Sequence, residues 1–174
     1  LNNARHFIFM EYFIIQEGLM RNSILDILVK KARDGVDVRL IDDDLGCIMT
    51  LPYKYHKTLE ENGIQCCVFN PYIPIVSARL NNRDHRKICV IDGNIGYTGG
   101  INLADEYINE VEKFGHWKDT GVRLKGEAVW ELTKLFLVDY GINEKEVLVT
   151  GNELYPVQAD IKEQGYLIPF GDGP

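Results

Sequence analysis

Between Lys87 and Gly100 the chain reads "KICVID", then "GN", then "IGYTGG": two strand-like runs separated by no more than a turn. No helix fits in that interval, so the runs must pair directly as an antiparallel hairpin. Upstream the pattern is different. "HFIFMEYFII", rich in β-branched and aromatic residues, reads as a buried strand. "SILDILVKKARDG" places Ile24, Leu25, Ile27, Leu28 and Ala32 mainly on one helical face, with Ser23 as N-cap and Gly35 as the C-terminal stop. "VDVRLID" alternates as a second strand, "PYKYHKTLEENG" is a short helix ending at Gly63, and "IQCCVFN" is a third strand. Beyond the hairpin, "DTGVRLKG" reads as a further strand and "EAVWELTKLFLVDYG" as a helix that turns Val129, Leu132, Leu135 and Phe136 inward. Strand and helix alternation followed by a hairpin predicts an α/β fold, with a mixed, mainly parallel sheet flanked by helices on both faces.

At 174 residues the chain suits one domain, expected over residues 1–160, with 161–174 as the passage into a further unit. It carries 19 Lys and Arg against 26 Asp and Glu, a formal net charge of −7. That balance argues against binding nucleic acid or an anionic membrane through bulk electrostatics, which needs a broad basic excess, so any anion has to be met locally. Cys47, Cys66, Cys67 and Cys89 form no CxxC pair and have no histidines at zinc-finger spacing. They are expected as reduced, buried thiols, as in an intracellular compartment. The longest apolar runs fall short of the roughly 20 residues that span a bilayer, and no signal peptide is visible, so the chain as it stands is expected to be soluble. It opens at Leu1 without a Met and closes on "FGDGP", which reads as a portion of a longer protein whose anchors would lie outside.

The acidic chain nevertheless gathers Arg79, Arg83, His85, Arg86 and Lys87 just ahead of the hairpin. Side chains alternate along a strand, so His85 and Lys87 project from one face and Arg86 from the other. An imidazole and an ammonium side by side suit attack on a phosphate and neutralisation of its charge. Asp92 closes the strand. Gly99, Gly100 and Asn102 end the next one, where the hairpin can return Asn102 towards His85 and glycines let backbone approach a ligand. The same residues also fit a solvated turn entering a strand, and spacing alone does not choose between the two.

His85, Lys87, Asp92, Gly99, Gly100 and Asn102 match, at every fixed position, the HxKxxxxDxxxxxxG(G/S)xN signature of the phospholipase D superfamily, which the chain therefore resembles. The flanks "EYFII", "NNRDHRKICVIDG", "GYTGGINLADEY" and "HWKDTGVRLKG" are most similar to the N-terminal catalytic half of bacterial cardiolipin synthases, from about Phe9 to the end. The second half of those enzymes, with its own HKD motif, has no counterpart here. The resemblance implies a phospholipase D-like fold and a phosphatidyltransferase reaction with no cofactor and no metal. One phosphatidylglycerol would hand its phosphatidyl group to a histidine and release glycerol; the hydroxyl of a second would take it up as cardiolipin. In that scheme His85 is the nucleophile, or else the acid that protonates the leaving alcohol. Lys87 and Asn102 hold phosphate oxygens. Asp119 in "HWKD" fixes the histidine tautomer, with Glu112 as the substitute, and Asp92 buttresses the strand end. The partners implied are phosphatidylglycerol and a second HKD half, from the same protein or a second copy, and not nucleic acid. The intact protein would sit at the cytoplasmic membrane. Two other readings stay open: a homodimeric phosphodiesterase or nuclease of the same superfamily, and a fragment that binds headgroup phosphates without turnover.

The remaining polar residues are assigned from their setting. Gly99, Gly100, Glu11 and Arg83 are the candidate substrate-binding residues. Glu11, flanked by apolar residues in a strand, faces either the site or a basic partner. Arg79 and Arg83 precede the strand and line the mouth for a headgroup, whereas Arg86 pairs with an acid on the opposite face. His116, next to Trp117, packs or caps, while His6 and His56 lie on the surface. Asp42, Asp43 and Asp44 are read as a solvated loop rather than a magnesium cluster.

Overall fold

The structure is a computed structural model that describes residues 1–71, 82–144, 155 and 165–171. Arg79 and the expected domain boundary at residue 160 lie outside the described residues. β1 (Phe7–Tyr12) leads through α1 (Leu19–Arg33) to β2 (Asp37–Asp43), and β2 leads through the one-turn helix α2 (Asp44–Cys47) and α3 (Tyr55–Glu61) to β3 (Gln65–Phe69). β4 (Lys87–Ile91) and β5 (Ile95–Gly99) form the hairpin, followed by β6 (Gly121–Lys125) and α4 (Val129–Glu144).

The six strands make one sheet in the order β3-β2-β1-β4-β5-β6. β3, β2 and β1 are parallel, while β4, β5 and β6 are each antiparallel to the strand before them in the sheet. The sheet is mixed, as expected, but it is not mainly parallel. Only the two pairings with helical crossovers are parallel; once β4 enters beside β1 from the opposite end, the hairpin continues antiparallel. At the hairpin tip Asp92 and Gly93 have φ of 52° and 64°, left-handed positions that an Asp-Gly pair fills readily.

The two faces of the sheet bury different helices. Ile8, Met10, Val38, Leu40 and Cys89 share a core with Leu28 of α1, Cys47 of α2 and Leu59 of α3. Phe7, Phe9, Ile41, Ile88 and Val90 share the other with Val129, Leu132 and Phe136 of α4. Phe136 stacks on Phe9 with ring centroids 4.7 Å apart. Each fully buried side chain of this kind contributes roughly 2 kcal/mol.

α1 starts at Leu19, upstream of the Ser23 expected as its cap. The cap comes instead from Asp105, in the loop after β5, whose carboxylate accepts from the N–H groups of Leu19 and Met20 at 2.8 and 2.9 Å. Ser23 lies inside the helix and donates to the Leu19 carbonyl. Gly35 does close the helix in a left-handed conformation, φ 88°.

Strand direction decides where the site lies. The ends of β1 and β2, the start of β4, the end of β5 and the start of β6 all meet at one end of the sheet, so the loops carrying the motif residues converge there.

Candidate active site

Tyr12 is paired with Asp42 on one side and Lys87 on the other, so these three residues form a row across the sheet at that end. All three share a face with Met10, Leu40 and Cys89, the face covered by α1. Ile88 pairs with Thr98, which puts Lys87 beside Gly99. A cleft of about 450 Å³ opens here, lined among others by Tyr12, Lys87, Gly99, Tyr107 and Asp119.

His85 is exposed and its ring stacks on Phe13, with centroids 4.0 Å apart and planes inclined by 20°. Among the described residues neither ring nitrogen makes a hydrogen bond, so both are available to a substrate. The Lys87 ammonium donates to the His85 carbonyl and lies 5.5 Å from the Phe13 ring. No carboxylate among the described residues forms a salt bridge with it. Burial lowers its pKa from the usual lysine range, with Asp84 and Asp119 pulling the other way. A half-buried cation beside a free imidazole is equipped to receive a phosphate. Tyr12 adds a phenol that burial keeps protonated, and hence a donor.

Asp119 is in this cleft but is not bonded to His85. Its carboxylate accepts from Trp117 Nε1 at 3.1 Å and from the Thr120 and Gly100 N–H groups at 2.7 and 3.2 Å. The Trp117 bond, then the backbone donors and the Lys87 charge, hold it below the usual carboxylate range. The glycine pair makes room for this arrangement. A Cβ on Gly100 would stand 2.5 Å from Asp119 Oδ1, and one on Gly99 would stand 2.9 Å from the Thr120 carbonyl. The close approach that the glycines permit is thus to the chain's own Asp119 and Thr120. Glu112, the substitute for Asp119, is exposed.

Asn102 is buried, its Oδ1 accepting from the Ile14 N–H at 3.0 Å and its Nδ2 donating to the Tyr107 hydroxyl at 2.9 Å. It fastens the loop after β5 to the loop after β1, leaving one amide hydrogen uncommitted. Asp92 sits at the opposite end of β4, where its carboxylate accepts from the N–H groups of Arg5, His6 and Phe7. It buttresses the start of β1 and is remote from Lys87.

Glu11 and Arg83 do not line the cleft. Glu11 alternates with Tyr12 and therefore faces α4, fully buried against Arg86 Nε at 2.9 Å. Arg86 also binds Asp84 at 3.1 Å and the carboxylate of Asp139. It thus points away from Lys87 and pairs with acids, as alternation requires. Three carboxylates lie within 4.8 Å of one another around this one guanidinium. Burial, then Asp84, holds Glu11 well above the usual carboxylate range despite Arg86. The Arg83 guanidinium is only 7% exposed, bound to Asp43 at 3.2 Å and to the Asn70 carbonyl at 3.0 Å. A long side chain just before a strand has two ways to point, and Asp43 decides this one.

The Asp42–Asp44 run is not a solvated loop. Asp42 and Asp43 are fully buried at the end of β2. Asp43 receives Arg83 and the Asp84 N–H, and Asp42 receives His56 Nε2 at 2.7 Å. His56 is accordingly half-buried and paired rather than a surface residue. His6 is exposed as expected, and His116, expected to pack or cap, is exposed as well. Cys47, Cys67 and Cys89 are buried, and Cys66 is partly exposed. Burial pushes the Cys89 thiol up to about 12.

Sequence spacing missed Tyr12, Phe13, Tyr107 and Asp84. Tyr12 and Phe13 were visible as the end of a strand, but their neighbours depend on β4 pairing with β1, which no local pattern specifies.

A family model described as cardiolipin synthase, PLD-like domain, matches residues 1–131. A Streptococcus mutans protein, described only as uncharacterized, is 47% identical over all of this chain and 38% of its own length. A cardiolipin synthase of Alkalihalophilus pseudofirmus is 37% identical over all of this chain and 35% of its own. The chain therefore spans little more than a third of these relatives. Among solved structures, Nuc of Salmonella typhimurium, a phospholipase D family member, superposes with a TM-score of 0.52 at 17% identity, over 83% of this chain and 82% of that one. That likeness concerns the fold alone.

Proposed function

The chain belongs to the PLD-like domain family of cardiolipin synthases, within the phospholipase D superfamily, and on that premise we propose that it supplies one half of a phosphatidyltransferase active site. The observation that carries this is the pairing of an exposed imidazole with a half-buried ammonium: the His85 ring stacks on Phe13, the Lys87 ammonium lies 5.5 Å from that same ring and donates to the His85 carbonyl, and Lys87 borders the cleft that Gly99 also lines.

A ring nitrogen of His85 attacks the phosphorus of phosphatidylglycerol, and the bond to the glycerol oxygen breaks as the nitrogen–phosphorus bond forms. The glycerol leaves with a proton from an acid in the other half of the site, contributed by another part of a longer protein or by a second copy. The hydroxyl of a second phosphatidylglycerol then attacks the same phosphorus, loses its proton to that group, and frees His85 with cardiolipin as product. Lys87 lies where charge grows on the non-bridging oxygens, and the Tyr12 hydroxyl faces the same space. Preorganised donors of this kind are worth about 100-fold in rate or more each. Phe13 supports the His85 ring from one face and so leaves its nitrogens at the edge for in-line attack. In this reading Asp119 sets the field at Lys87 and anchors the glycine backbone.

The test is incubation of the chain with phosphatidylglycerol micelles, following glycerol release by mass spectrometry. Release that disappears in His85→Ala and falls about 100-fold in Lys87→Ala supports the reading. Release unaffected by either substitution overturns it.

A further inference from the structure

A second surface at the same end of the molecule has no part in this chemistry. From Leu45 to Leu59 the chain contains Lys54, Lys57 and His56 but no acid, in a protein of net charge −7. Its outward side chains are apolar: Leu45 and Ile48 are 45% and 48% exposed, and Met49 and Tyr53 each 91%. Its inward ones are fixed. Cys47, Tyr55 and Leu59 are in the core, and the Thr50 hydroxyl donates to the Ile15 carbonyl at 2.6 Å. A tight turn, closed by the Tyr55 N–H on the Pro52 carbonyl at 3.0 Å, lifts Tyr53 to its tip. Lys54 lies 5.4 Å from the Tyr53 ring, so one cation and one aromatic face outward together.

The segment follows β2 and so stands at the end of the sheet where His85 and Lys87 lie. The loop after β5 adds Phe114, 73% exposed, with Lys113 5.4 Å from its ring and 3.0 Å from the Glu106 carboxylate. An exposed apolar patch of this size on a soluble face marks contact with another phase or another molecule. The two occupants differ in chemistry. The described residues that run towards the end of the chain, Leu167–Gly171, border Leu135 and Arg86 on the α4 face, whereas Leu45–Leu59 belongs to the α1 face. Lysines beside a rigid apolar tip, with the nearest acids in sequence, Asp44 and Glu60–Glu61, confined to the two ends of the segment, complement an anionic, water-to-hydrocarbon boundary.

We propose that the Leu45–Lys57 loop is a lipid-interface anchor: Met49 and Tyr53, flanked by Leu45 and Ile48, enter the headgroup boundary of an anionic bilayer while Lys54 and Lys57 meet its phosphates. The anchor sets the catalytic cleft against the surface from which a lipid is drawn. It stands on the loop itself and survives whether or not the catalytic reading holds.

The experiment is flotation of the chain with vesicles of equimolar phosphatidylglycerol and phosphatidylcholine, beside vesicles of phosphatidylcholine alone. The chain should float with the anionic vesicles. Lys54→Glu with Lys57→Glu should weaken partitioning at least 25-fold, since a lysine near such a surface is worth roughly fivefold. Met49→Asp with Tyr53→Asp should weaken it more than tenfold, also at salt concentrations that screen the lysines. Both pairs are exposed, so circular dichroism should show an unchanged fold, and Met49→Gln with Tyr53→Gln provides a milder version of the same loss. His85→Ala should float as the parent does, which separates binding from turnover. Flotation that is absent, or equal in parent and loop variants, overturns the proposal. So does a loop variant that shifts the solution mass of the lipid-free chain while leaving flotation unchanged, which would assign the patch to a second copy.

Discussion

In the proposed reaction Lys87 is the residue that meets the phosphate charge. It is half-buried, and among the described residues its ammonium meets a carbonyl and an aromatic ring rather than an ion-pair partner. Replacing it with alanine removes a cation without opening the core, so thermal stability should hold while turnover falls about 100-fold; a large loss of stability instead would mean a structural role. Glu11 makes the opposite kind of prediction. Burial holds its folded-state pKa well above the ordinary glutamate range, so the native state binds more protons than the unfolded chain from that range upward. Its contribution is present below that range and is lost as pH rises through the folded value. Glu11→Gln keeps the shape and cannot titrate, so the fall of stability with rising pH should flatten and the variant should be at least as stable at about pH 8. An unchanged slope in denaturant titrations would refute this. His56, raised chiefly by its bond to Asp42, contributes stability that is full below its unfolded value of 6.5 and is lost as pH rises through the folded one. His56→Gln should therefore cost on the order of 1 kcal/mol in mild acid and less in alkali. Of these three, Lys87 was legible in the sequence as a motif residue and Glu11 in part, as a buried acid that needed either the site or a basic partner, while His56 was read as a surface residue. Strand alternation places His85 and Lys87 together, whereas Glu11 meets Asp84, Arg86 and Asp139, and His56 meets Asp42, only through the packing of separate elements.

Among the elements, the end of β5 is the most constrained. Gly100 faces the end of a side chain and Gly99 faces backbone, so the two glycines should fail differently. Gly100→Ala should push Asp119 off the Gly100 N–H and reduce turnover with a small change in melting temperature. Gly99→Ala should part β5 from β6 and lose about 1–3 kcal/mol of stability. Equal melting curves for the two would show that the β5 and β6 backbones yield more easily than their geometry implies. Strand and helix identities could be read from periodicity because each reflects one face against one core. The start of α1 could not, since its cap is Asp105, and the balance of parallel and antiparallel pairs could not, since it depends on where β4 enters the sheet. The buried Asp42–Asp43 pair misled for the same reason: adjacent acids look solvated until His56 and Arg83 are brought to them.

At the scale of the whole molecule, one end of the sheet collects the exposed imidazole, the half-buried ammonium, the glycine backbone and an apolar loop that carries Lys54 and Lys57. Two cavities flank β4: the cleft of about 450 Å³ at Lys87 and a larger one of about 620 Å³, bordered by His85, Leu135 and Leu167–Gly171. A motif of fixed residues at fixed spacings made the family readable from the sequence, while the loop's surface could be recognised only once exposure was known. The measurement that tests the central claim most directly is alkaline-quenched mass spectrometry of the chain while it releases glycerol from phosphatidylglycerol. The account predicts a phosphatidyl group on the peptide containing His85, absent in His85→Ala together with the release. Glycerol release without that adduct, or an adduct that persists in His85→Ala, would contradict it.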